Sequence, residues 1–390
     1  MIGISKLYCG AATSGDALRY ESKGPRGTHP RPIVVWNVTS RCQLKCVHCY
    51  SRSEDRAAAD ELSTDEALAV LEDLGRFGVP VVLFSGGEPL LRPDLWRLID
   101  RAVGLGMRTV LSTNGTRIDE RTAARLRESG VGYVGVSLDG LRAVNDRFRG
   151  VEGAFDRALE GLRQCRKAGV KTGLRFTITR RNADQIDGLF RLARDEDIPR
   201  LCFYHLVYAG RASALIDEDL DHAATRRLVD QIVDRTADLH AQGRPVDVLT
   251  VDNHADGPYL VLRMEREGHP RAAEALRLLK LNGGNASGSR LACIGWDGAV
   301  HPDQFWRHAT LGNVRERPFS EIWTDPANPL LAQLRDKRRH VEGRCAACRF
   351  LDLCGGNLRV RAEAVTGNPW ASDPACYLTD EEIGVAASET

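Results

Sequence analysis

Short apolar runs alternate with amphipathic stretches between residue 33 and about residue 205. This alternation is typical of repeated strand–helix units, in which parallel strands are buried on both faces. Right-handed crossovers between such units curl the sheet into a barrel or part of one. The sequence therefore predicts an α/β fold, a partial (β/α)6 TIM-like barrel, with strands at residues 33–38, 81–84, 108–112, 133–137, 171–178 and 201–205.

Helix-end signals and a change of pattern divide the rest of the chain. Ser63 and Glu66 form a capping box ahead of an apolar helical face, and Gly78 ends that helix. The pattern becomes helical from about residue 217, and a Gly/Asn/Ser run at 282–288 predicts a linker. We predict an N-terminal extension at 1–31, a barrel core at 32–215, a helical connector at 216–290 and a cysteine-rich domain at 291–390.

Composition excludes several classes of protein. The 390 residues are 43% hydrophobic, yet no stretch is apolar enough to span a membrane. The 54 Lys and Arg residues nearly balance the 53 Asp and Glu residues, so overall charge gives no reason to expect nucleic acid or an anionic membrane as a partner. The first residues lack a secretory signal, and we therefore expect a cytoplasmic protein.

Most of the eleven cysteines fall into two groups, which is the clustering that metal sites require. The first group, Cys42, Cys46 and Cys49, follows the first predicted strand. A cubane of four irons normally binds four thiolates, so three thiolates leave one iron open to a substrate or cofactor. A zinc site with His48 as the fourth ligand is the alternative, because short cysteine spacings serve both metals.

Small polar residues follow the next three strands and favour the iron interpretation. Gly86, Gly87 and Glu88 follow the second strand, where glycines let the backbone approach a ligand and a carboxylate can accept from an ammonium group. In a parallel barrel the strand ends meet at one rim, where functional groups gather. The third and fourth strands end in polar groups suited to ribose hydroxyls, namely Ser112, Asn114, Ser137 and Asp139.

The spacing Cys42-x3-Cys46-x2-Cys49, coupled to Gly-Gly-Glu-Pro at 86–89, resembles the radical S-adenosylmethionine (SAM) superfamily over roughly residues 32–210. The resemblance implies that these cysteines hold a [4Fe–4S] cluster whose open iron binds SAM, and that one electron then releases methionine and a 5′-deoxyadenosyl radical. It also implies that the 86–89 segment holds the methionine amine and that the polar rim groups contact the ribose. Arg175, on the fifth strand, is a candidate for the SAM carboxylate, with a solvent-facing position as the alternative.

The second cysteine group supplies four thiolates and therefore a closed site. Its members are Cys345, Cys348, Cys354 and Cys376. Four sulfurs suit either structural zinc or a complete cluster. Beside the first group, the spacing resembles the SPASM or twitch-like extension of radical SAM enzymes, which implies one auxiliary [4Fe–4S] cluster. Cys293 is a candidate ligand or hydrogen donor near the substrate, with a buried packing role as the alternative.

Longer segments resemble the haem-pathway group of these enzymes nearly end to end. The resemblance implies an iron tetrapyrrole substrate, and it favours the AhbC-type deacetylases, which strip two acetate side chains from 12,18-didecarboxysiroheme to give iron-coproporphyrin III. The alternative within the group is NirJ-type removal of propionates toward haem d1. A flavodoxin or ferredoxin is the expected electron donor, because a low-potential cluster needs a low-potential source. The segments that carry the likeness are 4–9, 203–211, 252–259, 301–308 and 359–364.

A flat polycarboxylate needs cations and hydrogen-bond donors around an apolar slot. Histidines could ligate the substrate iron or move protons, although each alone is more often structural. The candidate donors are Tyr208, Arg211, Trp306, Arg307, Arg359 and Arg361, and the candidate histidines are His205, His254, His301 and His308.

Two further alternatives lie outside the haem pathway. A radical SAM maturase that crosslinks a ribosomal peptide commonly carries a leader-recognition domain ahead of the barrel, and only some 31 residues precede the first strand. A non-catalytic zinc scaffold would explain both cysteine groups and would make the polar rim sets a coincidence. The metal content of protein purified without oxygen separates zinc from iron.

Overall fold

The computed structural model describes residues 1–13, 15–21 and 31–385. Within these residues eleven strands form one sheet. The strands are β1 (Ile2–Gly3), β2 (Ile33–Asn37), β3 (Val81–Ser85), β4 (Arg108–Thr113), β5 (Tyr133–Ser137), β6 (Thr172–Thr177), β7 (Arg200–Tyr204), β8 (Asp247–Val251), β9 (Leu291–Ile294), β10 (Ala299–His301) and β11 (Gly312–Asn313).

The helices cover the outer face of the sheet and build much of the C-terminal part. The predicted capping box is present, because Ser63 Oγ accepts from Glu66 N at 3.3 Å and Ser63 N donates to the Glu66 carboxylate at 2.8 Å. The α-helices are α1 (Ile4–Leu7), α2 (Asp16–Tyr20), α3 (Thr64–Phe77), α4 (Leu95–Gly104), α5 (Glu120–Glu128), α6 (Arg142–Arg149), α7 (Ala154–Lys167), α8 (Ile186–Asp195), α9 (His222–Ala241), α10 (Asp256–Arg266), α11 (Ala272–Asn282), α12 (Phe319–Thr324), α13 (Pro329–Arg335), α14 (Leu351–Cys354), α15 (Arg359–Thr366) and α16 (Asp380–Ile383). Short 3-10 helices occur at Pro89–Leu91, Ala183–Gln185, Gly210–Glu218, Lys337–Arg339 and Gly343–Cys345.

The strands follow the order β1-β8-β7-β6-β5-β4-β3-β2-β9-β10-β11. Every neighbouring pair from β8 through β9 in that order is parallel. Strands β2 to β7 are the predicted ones, and each matches its predicted bounds to within one residue at either end. One face of the strands, including Val34, Trp36 and Phe84, belongs to the main core, whereas Val110 and Tyr133 pack with each other on the other face. The predicted α/β partial barrel is confirmed.

The segment at 216–290 is not helical throughout, and this part of the prediction is wrong. It contains β8, which pairs in parallel with β7 and extends the sheet by one strand. The strand is a short run of β-branched and leucine residues in which Val248 and Leu249 are buried. Periodicity alone does not distinguish so short an apolar run from a buried helical segment.

The run at 282–288, predicted as a linker, is also different in the structure. Its polar residues Asn285 and Ser287 are buried rather than exposed. Asn285 accepts two hydrogen bonds from the buried ammonium group of Lys337, and its backbone N–H donates to the Cys354 carbonyl at 2.9 Å. The prediction fails because Asn and Gly here satisfy buried hydrogen bonds instead of meeting water.

The first residues of the chain join the sheet. Strand β1 pairs antiparallel with β8, and Ile2, Ile4 and Leu7 are fully buried in the core. In the described ranges, no helix combines the length and the apolar character that crossing a membrane requires.

Candidate active site

A cavity of about 700 Å³ lies against the inner face of the parallel strands. Every second strand residue contributes to its wall, as Val110 and Ser112 do from β4 and Arg175 and Thr177 do from β6. Loops at the carboxyl ends of the strands and residues 303–305 of the C-terminal part complete the wall. Parallel barrels place their binding sites at this end, and a cavity of this size can hold a cofactor or substrate.

The first cysteine group lies on this wall. Cys42, Cys46 and Cys49 all line the cavity from the loop that follows β2. Iron–sulfur clusters bind cysteine thiolates, and hydrogen bonds to the sulfurs tune them. Each sulfur here has a polar neighbour, since Leu44 N donates to Cys42 Sγ at 3.5 Å, Arg149 Nη1 donates to Cys46 Sγ at 3.5 Å, and Ser51 Oγ lies 3.3 Å from Cys49 Sγ. Three soft donors in this setting fit a cluster with one open iron.

His48 does not join the cysteines. Its Nε2 lies 3.5 Å from the Asp139 carboxylate, and its ring packs against Phe148 with centroids 4.7 Å apart. Across residues 1–13, 15–21 and 31–385, no group of three or more His, Cys, Asp or Glu side chains is arranged to hold a single metal ion. The geometry therefore does not support the zinc alternative with His48, whereas a cubane holds its thiolates at separate corners.

The residues that follow β7 clamp the cysteine loop. Arg211 Nε donates to the Cys46 carbonyl at 2.8 Å, and Arg211 Nη1 donates to the Ser53 carbonyl at 3.0 Å. Gly210 has a positive φ of 62°, and a Cβ there would lie 2.2 Å from the Tyr50 carbonyl oxygen. Arg211 lines the cavity, but its guanidinium holds the cluster loop instead of standing free for a substrate carboxylate.

The glycines after β3 also pack on this loop. Gly87 N donates to the Thr39 carbonyl and Glu88 N donates to the Arg41 carbonyl, both at 2.7 Å. A Cβ at Gly87 would lie 2.2 Å from the Arg41 carbonyl oxygen, so only glycine allows this approach. The close backbone approach that the sequence predicts is therefore an approach of Gly86 and Gly87 to the cysteine loop. The same two glycines also border the cavity.

Glu88 is fully buried, and burial raises the pKa of its carboxyl group. Its Oε1 accepts from Thr113 Oγ1 at 2.7 Å and from Leu90 N at 3.1 Å, and its Oε2 accepts from Asn114 N at 2.8 Å. Within the described part of the chain, Glu88 is not among the residues that line the cavity. Glu88 thus accepts from the backbone of Asn114, and its contact with the methionine amine stays a prediction.

Arg175 lines the cavity, and the alternative of a solvent-facing position, which the sequence leaves open, does not hold. Its Nη1 donates to Ser112 Oγ at 2.6 Å, and its Nε is buried without a hydrogen-bond partner. No carboxylate in the described ranges forms an ion pair with it. Gly135 on β5 makes room, because a Cβ there would lie 2.4 Å from Arg175 Nε. Asn114 and Ser137 line the same cavity, so a guanidinium and short polar groups stand together on one wall.

Asp139 supports the cluster loop from behind the cavity. Its Oδ1 accepts from Thr177 N at 2.7 Å, and its Oδ2 lies 2.5 Å from Arg149 Nη2. Arg149 in turn donates to Cys46 Sγ. It therefore links Asp139, just after β5, to a thiol of the first cysteine group. This ion pair gives the buried Arg149 cation the partner that it requires, and the ribose contact of Asp139 stays a prediction. Sequence reasoning misses Arg149 because nothing in helix α6 distinguishes it from a surface arginine.

The four cysteines of the second group line one small void in the C-terminal part of the chain. Burial raises the pKa of the Cys354 thiol to about 12 and that of Cys376 to about 11, so neither ionises readily without a bound metal. Phe350 N donates to Cys348 Sγ at 3.4 Å. Four sulfurs around one void fit a closed, fully cysteine-bound cluster.

Gly284 packs against the backbone of Cys354, one of the four cysteines that line this void. A Cβ there would lie 2.1 Å from the Cys354 carbonyl carbon, whereas a Cβ at Gly283 would meet only a side-chain atom of Arg290 at 3.6 Å. Both glycines have positive φ, so alanine at either carries a similar left-handed cost of about 1–2 kcal/mol. We expect Gly284→Ala to lose about half the bound iron of anaerobically purified protein, because one of two four-iron clusters is disturbed.

The matched variant Gly283→Ala separates the clash from the backbone cost. It is expected to keep its iron, measured colorimetrically against protein concentration. Equal iron loss in both variants would show that the contact with Cys354 does not matter.

The remaining candidate residues divide between the cavity and the structural interior. His205 and His254 line the cavity, as does Asp252, which has an unusual positive φ of 65°. In contrast, the Tyr208 hydroxyl donates to Asp219 at 2.7 Å, and His301 Nδ1 lies 3.1 Å from the Ala309 carbonyl oxygen. Among the described residues, neither Tyr208 nor His301 is part of the cavity wall.

Cys293 is fully buried in β9. Asn37 Nδ2 lies 3.7 Å from its sulfur, and burial raises the pKa of the thiol. Asn37 Oδ1 also accepts from the Tyr50 hydroxyl at 2.9 Å, and Tyr50 lines the cavity. Asn37 and Tyr50 therefore lie between Cys293 and the cavity. The role of Cys293 as a ligand or hydrogen donor stays a prediction.

The C-terminal arginines are held by protein groups. Arg361 pairs with Asp373 at 2.8 Å, and both side chains are completely buried. Arg359 Nη1 donates to two backbone carbonyl groups, and Trp306 Nε1 donates to Glu363 at 2.6 Å. His308 also contacts Glu363, at 2.7 Å. Arg361 is fully engaged by protein acceptors, whereas Arg359 keeps a buried Nε without a partner, and a substrate-binding role for either stays a prediction.

The match with known families agrees with this geometry. Residues 36–193 match the family described as the radical SAM superfamily, and residues 286–349 match SPASM, described as an iron–sulfur cluster-binding domain. The chain is 55% identical to the Fe-coproporphyrin III synthase of Methanosarcina barkeri over 98% of this chain and 99% of that protein. It is 48% identical to the pre-heme d1 synthase of Dinoroseobacter shibae, over 93% of this chain and 89% of that protein.

A solved structure, that of Streptococcus suis SuiB bound to S-adenosylmethionine, has a similar fold. The TM-score is 0.70 at 21% sequence identity, and the match covers 89% of this chain and 78% of SuiB. At this identity the likeness bears on the fold alone.

Proposed function

Since the chain belongs to the radical SAM superfamily, we propose that it removes two acetate side chains from 12,18-didecarboxysiroheme to give iron-coproporphyrin III. Family membership confirms the enzyme class, SAM as cofactor and the iron–sulfur clusters that the sequence predicts. The substrate is proposed from the name of the synthase that is 55% identical to this chain along nearly its whole length.

The proposal is supported by one cavity that residues of both the barrel and the C-terminal part of the chain line. The three cysteines, the glycine backbone at 86–87 and Arg175 share it with His205. Residues 303–305 and Leu358 bring the C-terminal part of the chain to the same space. A cofactor bound on the barrel side therefore faces a substrate region formed by both parts.

The chain's own residues would hold the cofactors in this cavity. When bound, the first cluster and SAM supply a 5′-deoxyadenosyl radical, which abstracts an unactivated hydrogen. Cys42, Cys46 and Cys49 would hold that cluster, and Arg211 fixes the backbone of their loop. The four cysteines of the second group would hold the auxiliary cluster, away from the barrel cavity.

Arg175 is proposed to bind the SAM carboxylate, because its side chain lines the cavity and forms no ion pair with a carboxylate of the described residues. Losing one charge-assisted hydrogen bond costs about 1.5 kcal/mol, so we expect Arg175→Met to weaken SAM binding roughly 10-fold. Equilibrium dialysis with anaerobic, cluster-loaded protein measures this change. Unaltered SAM affinity in the variant would remove Arg175 from the cofactor site.

Three further features belong to the same proposal. A flavodoxin or ferredoxin is proposed as the electron donor, since the first cluster needs a low-potential source. The cytoplasm is proposed as the compartment. The divisions at 32–215 for the core and 291–390 for the auxiliary-cluster domain are proposed as well, with β8 now joining the connector at 216–290 to the barrel sheet.

The proposed function is tested by product mass. Anaerobically reconstituted protein is incubated with didecarboxysiroheme, SAM and a reductant, and the tetrapyrrole is analysed by mass spectrometry. Loss of two acetates supports the proposal. Loss of two propionates would favour the haem d1-type reaction, which the relative at 48% identity keeps as the second candidate. Unchanged substrate beside normal SAM cleavage would point to a different substrate class.

A further inference from the structure

His205 occupies a fixed position at the carboxyl end of β7. Its backbone N–H donates to the Val251 carbonyl at 3.0 Å, which ties it to the end of the neighbouring strand β8. The side chain is 7% exposed and lines the cavity. The imidazole is therefore held where a cavity-bound molecule can contact it.

A chain of hydrogen bonds orients this imidazole. His205 Nε2 lies 2.9 Å from Asp256 Oδ2, and the Tyr377 hydroxyl donates to Asp256 Oδ1 at 2.7 Å. Asp256 is completely buried, so its carboxylate must accept from both neighbours. A carboxylate only accepts hydrogen bonds, so Nε2 is the nitrogen that donates to Asp256 and Nδ1 is the nitrogen on the other side of the ring. That nitrogen has no hydrogen-bond partner among the described residues.

This arrangement is the one that metal-binding histidines use. A histidine that ligates a metal usually donates its other ring N–H to a carboxylate, which fixes the ring and makes the free nitrogen a better ligand. Imidazole is also the common protein ligand of tetrapyrrole iron. The sequence places nothing beside His205 that predicts this, because Asp256 is 51 positions away along the chain.

The other histidines near the cavity lack this support. His48 Nε2 lies 3.5 Å from Asp139, whose carboxylate is already paired with Arg149. His254 also lines the cavity, but its Nδ1 is buried without a hydrogen-bond partner and no ion pair with a carboxylate orients the ring among the described residues. His205 is therefore the better-oriented ligand.

We propose that His205 Nδ1 is an axial ligand to the iron of the bound tetrapyrrole, with Asp256 and Tyr377 positioning the ring. The inference rests on the proposed function, because it requires an iron tetrapyrrole in this cavity. The ligation would fix the height and the tilt of the macrocycle relative to the barrel wall, and it would leave the side chains at the ring edge free for reaction.

The test uses ferrous coproporphyrin III as the probe, bound to anaerobic, cluster-loaded protein without SAM. Resonance Raman spectra with Soret excitation should show an iron–histidine stretching band in the wild type. His205→Gln should lose this band, and added imidazole should restore it. Glutamine keeps an N–H donor for Asp256, so the variant preserves the buried hydrogen bond and its fold can be checked by circular dichroism.

Two further variants make the assignment specific. Asp256→Asn should keep the band but move it to lower frequency, because the carboxylate no longer increases the basicity of the imidazole. His301→Ala, outside the cavity wall, should leave the band unchanged. The inference is overturned if the probe binds without an iron–histidine band, or if the band survives in His205→Gln and disappears in His254→Ala. Absence of any probe binding, seen in an absorbance titration, would contradict the proposed function as well.

Discussion

Replacing Cys46 with alanine is expected to eliminate 5′-deoxyadenosine formation. Cys46 is one of three thiols on the cavity wall, and its sulfur also receives the hydrogen bond from Arg149. Changes in the shell around a metal site already cost about 10–100-fold, so loss of a direct ligand should cost more than about 100-fold. The measurement is liquid chromatography of 5′-deoxyadenosine after incubation of anaerobic protein with SAM and dithionite.

Cys165→Ala is the matched control for this experiment. Cys165 is also buried but lies in α7, within the hydrophobic core. It should retain 5′-deoxyadenosine formation close to that of the wild type. If Cys46→Ala still formed 5′-deoxyadenosine, the three-cysteine loop would not hold the cluster that cleaves SAM.

Replacing Cys348 with alanine is expected to separate SAM cleavage from product formation. Cys348 lines the void of the second group and is not among the described residues that line the barrel cavity. We expect tetrapyrrole product to fall by more than about 100-fold, as for loss of any direct metal ligand, while some 5′-deoxyadenosine is still made. Both compounds are quantified in the same reaction mixture.

The control for Cys348 is Cys9→Ala, a half-buried cysteine near the N-terminus. This variant should keep its full iron content and its product. Normal product formation by Cys348→Ala would contradict a catalytic need for the auxiliary cluster, and loss of all SAM cleavage would show that the second group supports the fold of the first.

The sequence predicts the barrel well because its signal is local. Each of the strands β2 to β7 is five or six residues long and contains apolar residues that are mostly buried. Strand β8 is missed because it lies between two long helices, α9 and α10, and its five residues are too few to show a period of their own.

The site is predictable only in part, because side-chain partners come from distant segments. The cysteine spacings are local and identify both groups. Glu88 and Asp139 accept from backbone N–H groups of neighbouring strands, Asn114 after β4 and Thr177 in β6, which come together only when the strands are assembled. Arg361 has the composition of a substrate-binding cation but is completely buried against Asp373. Sequence can name the charged residues, whereas the fold decides which of them remain free.

The most direct test of the account is the electron paramagnetic resonance spectrum of the first cluster with and without SAM. Anaerobically purified Cys348→Ala protein, analysed for iron, sulfide and zinc and then reduced, isolates that cluster. We expect iron and sulfide in the protein and a signal that shifts when SAM is added, because the three cysteines leave one iron for SAM to bind. Zinc in place of iron, or a signal that SAM leaves unchanged, would contradict the account.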